Sequence, residues 1–304
     1  MTVRLIVMKL GLNLSFATKR WLHPSGLARM CREDFNVDTV QFTLDLIDPW
    51  WPEEKRDEIA AQYKTAFDKY GVKIKSVFGG VAAYTYSQLL SPTKIQREIS
   101  VEFFKRMIDL AVLLGADEIG SPIGGMSYED AKDPITAAEL YESAKRSLCE
   151  IAEYGHQKGL RQILIEATPL VTEFLYTPQA AKALMTELDG KTKIPVRLLI
   201  DWGHALFNQI PGTIPDMAYW LKECAPYVGG IHLQQTDGLY DRHWDFTKKG
   251  LVNAELIKSV TKECGADDII QYLEVVTIFE EFDDKVYDGM LKTMKYLHEI
   301  FDNN

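Results

Sequence analysis

Four side chains able to hold a divalent cation stand at the ends of four short apolar runs. Ile163-Leu164-Ile165 leads into Glu166, Leu198-Leu199-Ile200 into Asp201, Gly230-Ile231 into His232, and Gln271-Tyr272-Leu273 into Glu274. Three carboxylates and an imidazole brought to one place would repel one another if the acids were ionised and unpaired, and a divalent ion removes that repulsion. Three oxygens and one nitrogen suit Mn²⁺, Mg²⁺, Co²⁺ or Fe²⁺ better than a thiolate-type zinc site does. Taken singly, each residue has a plainer reading. An acid at a strand end often caps the following helix, and a lone strand histidine is usually a satisfied core residue. The recurrence on four runs is what favours a metal centre.

Other groups could meet a substrate. His204 lies three residues after Asp201 and could contact a substrate oxygen, and Glu173, seven residues beyond Glu166, could bond a hydroxyl. The stretch 237–246 is dense in polar and aromatic side chains, as a substrate-covering loop would be. Within it Arg242 and His243 could bind an anionic end of the substrate. Lys19 and Arg20 offer two more cations, and Trp50-Trp51 could wall a sugar pocket.

The elements that must position these groups recur in one order, a short apolar run and then a longer helical pattern. The runs are 9–14, 39–44, 72–78, 118–123, 162–166, 196–201, 228–233 and 269–276. The helical patterns are 25–35, 52–70, 94–114, 134–158, 178–188, 214–225, 254–264 and 283–301. Gly71, Gly115, Gly159 and Gly265 follow helical stretches, where a left-handed cap costs least. Pro52, Pro134 and Pro178 stand where a helix should begin. The strand runs are apolar on both faces, as parallel strands covered by helices are. Eight such units predict a single α/β domain over 1–304, a closed (β/α)₈ barrel. The alternative is an open doubly wound sheet, and no G-x-G-x-x-G follows the first run to support its dinucleotide-binding version. In a (β/α)₈ barrel the active site lies at the C-terminal ends of the strands, where all four candidate ligands fall.

The formal charge is −10, which disfavours nucleic acid and anionic membrane as partners. No apolar run approaches the ~20 residues of a membrane span. The opening 1–8 is apolar but too short for a signal peptide. Cys31, Cys149, Cys224 and Cys264 form no C-x-x-C pair and read as reduced thiols on helices, in keeping with a cytoplasmic location.

Taken in order, Ile165-Glu166, Asp201-Trp202-Gly203-His204, Ile231-His232-Leu233 and Leu273-Glu274 resemble the xylose isomerase-like TIM-barrel superfamily. Within it they are similar to the ketose 3-epimerases that act on D-tagatose and D-psicose. The resemblance covers nearly the whole chain. It implies that Glu166, Asp201, His232 and Glu274 bind Mn²⁺ or a similar ion, that Glu166 and Glu274 are the two acid/base groups, and that His204 touches the substrate carbonyl oxygen. The implied chemistry is proton transfer next to a sugar carbonyl through an enediolate, most simply C3 epimerisation of a ketose or short ketose phosphate. Residues 10–21 and 41–50 further resemble a branch with tetrulose-phosphate epimerases, which would give Lys19, Arg20 and Arg242 a phosphate to hold.

Two departures stand out. The position six beyond the first ligand, a glutamate in the epimerases, is Thr172, with Glu173 next to it. Their arginine six beyond the histidine ligand is replaced by Gly238, with Arg242 ten beyond. Aldose–ketose isomerisation, an inosose-type dehydration and, less readily, an endonuclease IV-like DNA repair activity use the same kind of rim. The expected partner is a small sugar or sugar phosphate, and the expected assembly a homodimer or homotetramer.

Overall fold

The computed structural model describes residues 8–302, so the opening read above lies outside it except for Met8. Eight parallel strands close in sequence order. They are β1 (Leu10–Asn13), β2 (Thr39–Thr43), β3 (Lys73–Phe78), β4 (Glu118–Ser121), β5 (Gln162–Ala167), β6 (Val196–Asp201), β7 (Val228–Leu233) and β8 (Gln271–Leu273). Closure comes from β1 pairing with β8, Leu12 opposite Leu273. The predicted (β/α)₈ barrel is the observed one.

Strand ends differ from the sequence reading for local reasons. β1 stops at Asn13 because its side-chain oxygen accepts from the Ser15 N–H and so caps a 3₁₀ turn, Leu14–Ala17. β8 is shorter than the run 269–276 because its neighbour changes. The Glu274 N–H still reaches Leu233, but the Val276 N–H bonds the carbonyl of His243, on the loop after β7. The helix expected over 214–225 spans Met217–Cys224, with the Asp216 carboxylate accepting from the Ala218 N–H at its start. Pro134 and Pro178 open their helices as expected, and Pro52 sits one position earlier, at the cap. Gly115 ends the helix Lys94–Leu114 in the left-handed region, φ 75°, and Gly71, Gly159 and Gly265 also have positive φ.

Most of the apolar core lies between the barrel and its helices. Inside the barrel Phe78, Leu164 and Leu199 form a separate cluster with Tyr84 against it. Full burial of each such side chain contributes roughly 1.5–3 kcal/mol. Nearer the strand starts, Glu118 is buried, paired with Lys75 at 3.2 Å and accepting from the Tyr272 hydroxyl at 3.3 Å. Among the described residues all four cysteines are free thiols, and no helix is long and apolar enough to cross a membrane.

Candidate metal centre

The sheet itself sets the spacing of the four expected ligands. Glu166 is the penultimate residue of β5, Asp201 ends β6, His232 lies one residue from the end of β7, and Glu274 follows β8 directly. Asp201 and His232 are register partners across β6 and β7. One ligand atom from each of the four lies within 4.8 Å of the others, and all four residues are buried.

Each side chain is held by a neighbour that leaves one atom free. Asp201 does cap a helix: its Oδ1 accepts from the His204 N–H at 3.0 Å and from Gln234 Nε2 at 2.8 Å. Its Oδ2 is buried without a hydrogen-bond partner. Glu274 is alike, with Oε1 accepting from Asn13 Nδ2 at 3.1 Å and Oε2 unpartnered. Asn13 can donate there because its own oxygen is occupied by the turn it caps. Glu166 Oε2 accepts from the Tyr84 hydroxyl. Burial first, and then the charge of Glu166, holds Tyr84 well above the ordinary tyrosine range, so the phenol stays a donor.

His232 is oriented from β2. Gln41 Oε1 lies 2.7 Å from both His232 Nε2 and Asn13 Nδ2, so it acts as acceptor for both. That places the His232 proton on Nε2 and turns Nδ1 toward Glu166 Oε1, 2.9 Å away, and Glu274 Oε2, 2.8 Å away. A nitrogen lone pair facing two carboxylates needs a cation between them. In the metal-free chain a second ring proton serves. Burial alone would depress the imidazole, but Glu274 and Glu166 outweigh it and push His232 up to about 10. Two buried orphan oxygens, an oriented imidazole and an outer layer of amides that fixes its tautomer fit a divalent ion with oxygen and nitrogen donors.

The substrate candidates divide into those near this centre and those committed elsewhere. His204 is buried, with Nδ1 3.0 Å from the Ala167 carbonyl and 4.0 Å from Glu166 Oε1. His243 Nδ1 lies 3.4 Å from Glu274 Oε2. Glu173 is buried and accepts from the Thr168 hydroxyl, and burial pushes its carboxyl up to about 7. Arg242 is chelated by Asp237, through Nε at 3.0 Å and Nη2 at 2.7 Å, and stacks over Tyr240 and Trp244. Arg20 is paired with Asp283 and donates to the carbonyls of Ile278 and Glu281. Lys19 sits over the Phe279 ring. Trp50 and Trp51 line a groove beside the 94–114 helix with Asp45, Tyr86 and Ile99, and none of the four ligands lines it.

Residues 33–291 match the family described as the xylose isomerase-like TIM barrel. The chain belongs to that family. It is 24% identical over 273 residues to the D-erythrulose 1-phosphate 3-epimerase of Brucella abortus (strain 2308), covering 86% of each chain. A crystal structure from Rhodospirillum rubrum ATCC 11170, provisionally named a xylose isomerase, is 41% identical with a TM-score of 0.94, covering 96% of this chain and 99% of that one. The D-psicose 3-epimerase of Clostridium cellulolyticum H10, solved with D-tagatose, shares the fold at a TM-score of 0.70 and 13% identity, over 97% of this chain and 99% of that one.

The four side chains that the structure brings together, Glu166, Asp201, His232 and Glu274, are thus the set read from the sequence. The residues that reading left out are Asn13, Gln41, Tyr84 and Gln234. Asn13 and Gln41 carried a signal, being amides at strand positions in otherwise apolar runs. Tyr84 carried none, because it lies beyond β3, at the C-cap of a four-residue helix, Gly80–Ala83, that no periodicity announces.

Proposed function

We propose that this protein is a divalent-metal-dependent epimerase acting at C3 of a ketose or short ketose phosphate, such as a tetrulose phosphate, with Mn²⁺ the preferred ion. One observation carries the reading: Glu166 and Glu274 approach the same imidazole nitrogen from two strands, each with one oxygen held by a neutral donor. Both carboxylates therefore border one small volume from different sides. A bound ion would act as a Lewis acid, easing negative charge on the substrate oxygens.

Glu166 takes the proton from the carbon beside the carbonyl, and Glu274 returns one to the other face, or the reverse. Tyr84 holds Glu166 Oε2, and Asn13 holds Glu274 Oε1, so neither base swings away. His204, with Nδ1 at the Ala167 carbonyl and Nε2 3.1 Å from Asp241 Oδ2, would meet the substrate carbonyl oxygen by giving up Asp241. Glu173, whose carboxyl burial pushes up to about 7, would offer its protonated fraction as a donor to a substrate oxygen, and His243 closes the site from the loop after β7. If the substrate is phosphorylated, Arg242 is our choice of cation, with phosphate displacing Asp237. Lys19 and Arg20 would serve only if Arg20 gave up Asp283.

Aldose–ketose isomerisation is the second reading, favoured by the 41% identity to a protein named for that activity. Solvent-deuterium incorporation, read by NMR across ketoses and ketose phosphates with Mn²⁺, separates the two. Label at C3 supports epimerisation. Label confined to C1 or C2 supports isomerisation, and no label from any ketose would remove both.

A further inference from the structure

Trp50 and Trp51 are a sequence feature that the metal centre does not use. They line a groove of about 820 Å³, bounded by the loops after β2 and β3 and by the helix Lys94–Leu114. The two tryptophans are 46% and 39% exposed, and Tyr86, which lines the same groove from the loop after β3, is 68% exposed. Large apolar groups scattered singly over a surface mean little, but aromatic rings gathered in one concavity mark a binding surface.

Local structure fixes the two indoles. Asp48 opens a turn in which its Oδ1 accepts from the Trp50 N–H at 2.8 Å and its carbonyl from the Trp51 N–H at 3.1 Å. Arg106, itself bonded to Glu102 at 2.9 Å, lies 4.7 Å from the centre of the Trp50 ring. A guanidinium thus backs one face of that indole, and the other face is left as a platform.

The polar groups of the groove differ in what they can still do. Asp45 is occupied, accepting from the Thr43 hydroxyl at 2.7 Å and the Val81 N–H at 2.9 Å. Gln96 Oε1 accepts from the Thr93 hydroxyl at 2.7 Å, so its amide nitrogen is the atom left for a ligand. Gln88 is 4% exposed and adopts φ 42°, in the left-handed region. Its Nε2 donates to the Ala83 carbonyl at 2.7 Å, and its Oε1 is buried with no donor. Backbone strain and an unanswered buried acceptor are features that gather at ligand sites. Among the described residues, no lysine, arginine or histidine lines the groove.

This chemistry selects the ligand. The volume falls in the range of small-molecule pockets, roughly 300–1,000 Å³. Aromatic faces with donors and acceptors between them suit a ring that carries C–H groups on its faces and hydroxyls at its edge. With no cation in the lining, a phosphate or carboxylate would go unpaired. With Asp45 occupied, only Asp48 is left to attract a cation. We propose that the groove is a second carbohydrate site, which binds a neutral pyranose ring by stacking on the indoles and by hydrogen bonds to Asp48, Gln88 and Gln96. It shares a wall with the metal centre: in the loop after β3, Tyr84 bonds Glu166, while Ala82, Ala83 and Thr85 line the groove. The ring is therefore a free sugar or the distal ring of a glycosylated substrate. The site is independent of which reaction the metal centre performs.

Titration of the full chain in EDTA with glucose, galactose, mannose and their methyl glycosides reads the groove apart from the metal centre. At least one of these sugars should quench indole fluorescence saturably and give saturation-transfer NMR signals. Trp50→Ala and Trp51→Ala should each weaken binding at least about tenfold with an unchanged circular dichroism spectrum. Should these variants fail to fold, Ser100→Trp, which fills the groove from the helix, should abolish binding instead. No saturable binding by any of the sugars, undiminished binding in the variants, or tighter binding of inorganic phosphate or choline would overturn the proposal. With Mn²⁺ restored, a glucosyl-fructose disaccharide with a free ketose carbonyl identifies the source of the ring. A rise in KM for the disaccharide in Trp50→Ala assigns the ring to the substrate, and lost sugar binding without that rise assigns it to a free sugar.

Discussion

Gln41 Oε1 and His232 Nε2 lie 2.7 Å apart, and this contact determines which imidazole nitrogen faces Glu166 and Glu274. A buried histidine in this position has two tautomers, and only the one bonded to Gln41 turns a lone pair toward Glu166 and Glu274. Gln41→Leu removes the acceptor for both His232 and Asn13 while keeping the volume close. Outer-layer changes of this kind cost about 10–100-fold in metal affinity. Titration calorimetry with Mn²⁺ should show that loss with an unchanged circular dichroism spectrum, and wild-type affinity would mean that the tautomer is fixed some other way.

Glu166→Gln and Glu274→Gln keep the shape of each side chain but not its basicity. Each should lower turnover by at least about 10²–10⁴-fold, the usual contribution of a general acid or base, at Mn²⁺ concentrations that saturate the site. Wild-type-like rates in either variant, with the metal bound, would end the two-base mechanism.

Tyr84 reaches the same carboxylate from outside the set of ligands. Without its hydroxyl, Glu166 Oε2 loses a donor to a charged group, an interaction worth roughly 1.5–3 kcal/mol. Tyr84→Phe should therefore lower kcat about tenfold or more, displace the pH–rate profile and lower the melting temperature by a few degrees. A change in KM alone would place Tyr84 on the substrate rather than on Glu166.

Glu173 makes stability depend on pH in a stated direction. Its folded-state value, about 7, exceeds the unfolded reference of 4.5, so the native state holds the proton more tightly. The contribution to stability is complete below the unfolded value and is lost as pH rises through about 7. A shift of this size corresponds to about 3 kcal/mol at most. In urea unfolding of the metal-free protein, Glu173→Gln should be favoured over the wild type increasingly between pH 4.5 and 7. Parallel curves for the two proteins would show that the carboxyl is ionised in the fold.

The barrel was legible because each of its units repeats the same pattern, and errors in one run are outvoted by seven others. The rim was legible because a strand end is a defined place, so that Glu166, Asp201, His232 and Glu274 could be aligned without coordinates. Side-chain commitments were not legible. Arg20 and Arg242 read as free cations in the sequence, but Asp283 and Asp237 claim them, and those partners depend on how loops fold back. The pairing of Arg20 with Asp283 joins residues 263 positions apart. Asp241 and His243 were in view as part of a polar loop, yet only the antiparallel return at Gln235 and Trp244 brings His243 beside Glu274 and Asp241 beside His204.

The register pairing of Asp201 with His232 has an evolutionary consequence. Because Asp201 and His232 are bolted to the hydrogen-bond ladder of adjacent strands, lengthening or rewriting the loop after β7 leaves the distance between these two side chains unaltered. Selection can therefore vary that loop on this scaffold while the cluster of four side chains is inherited whole.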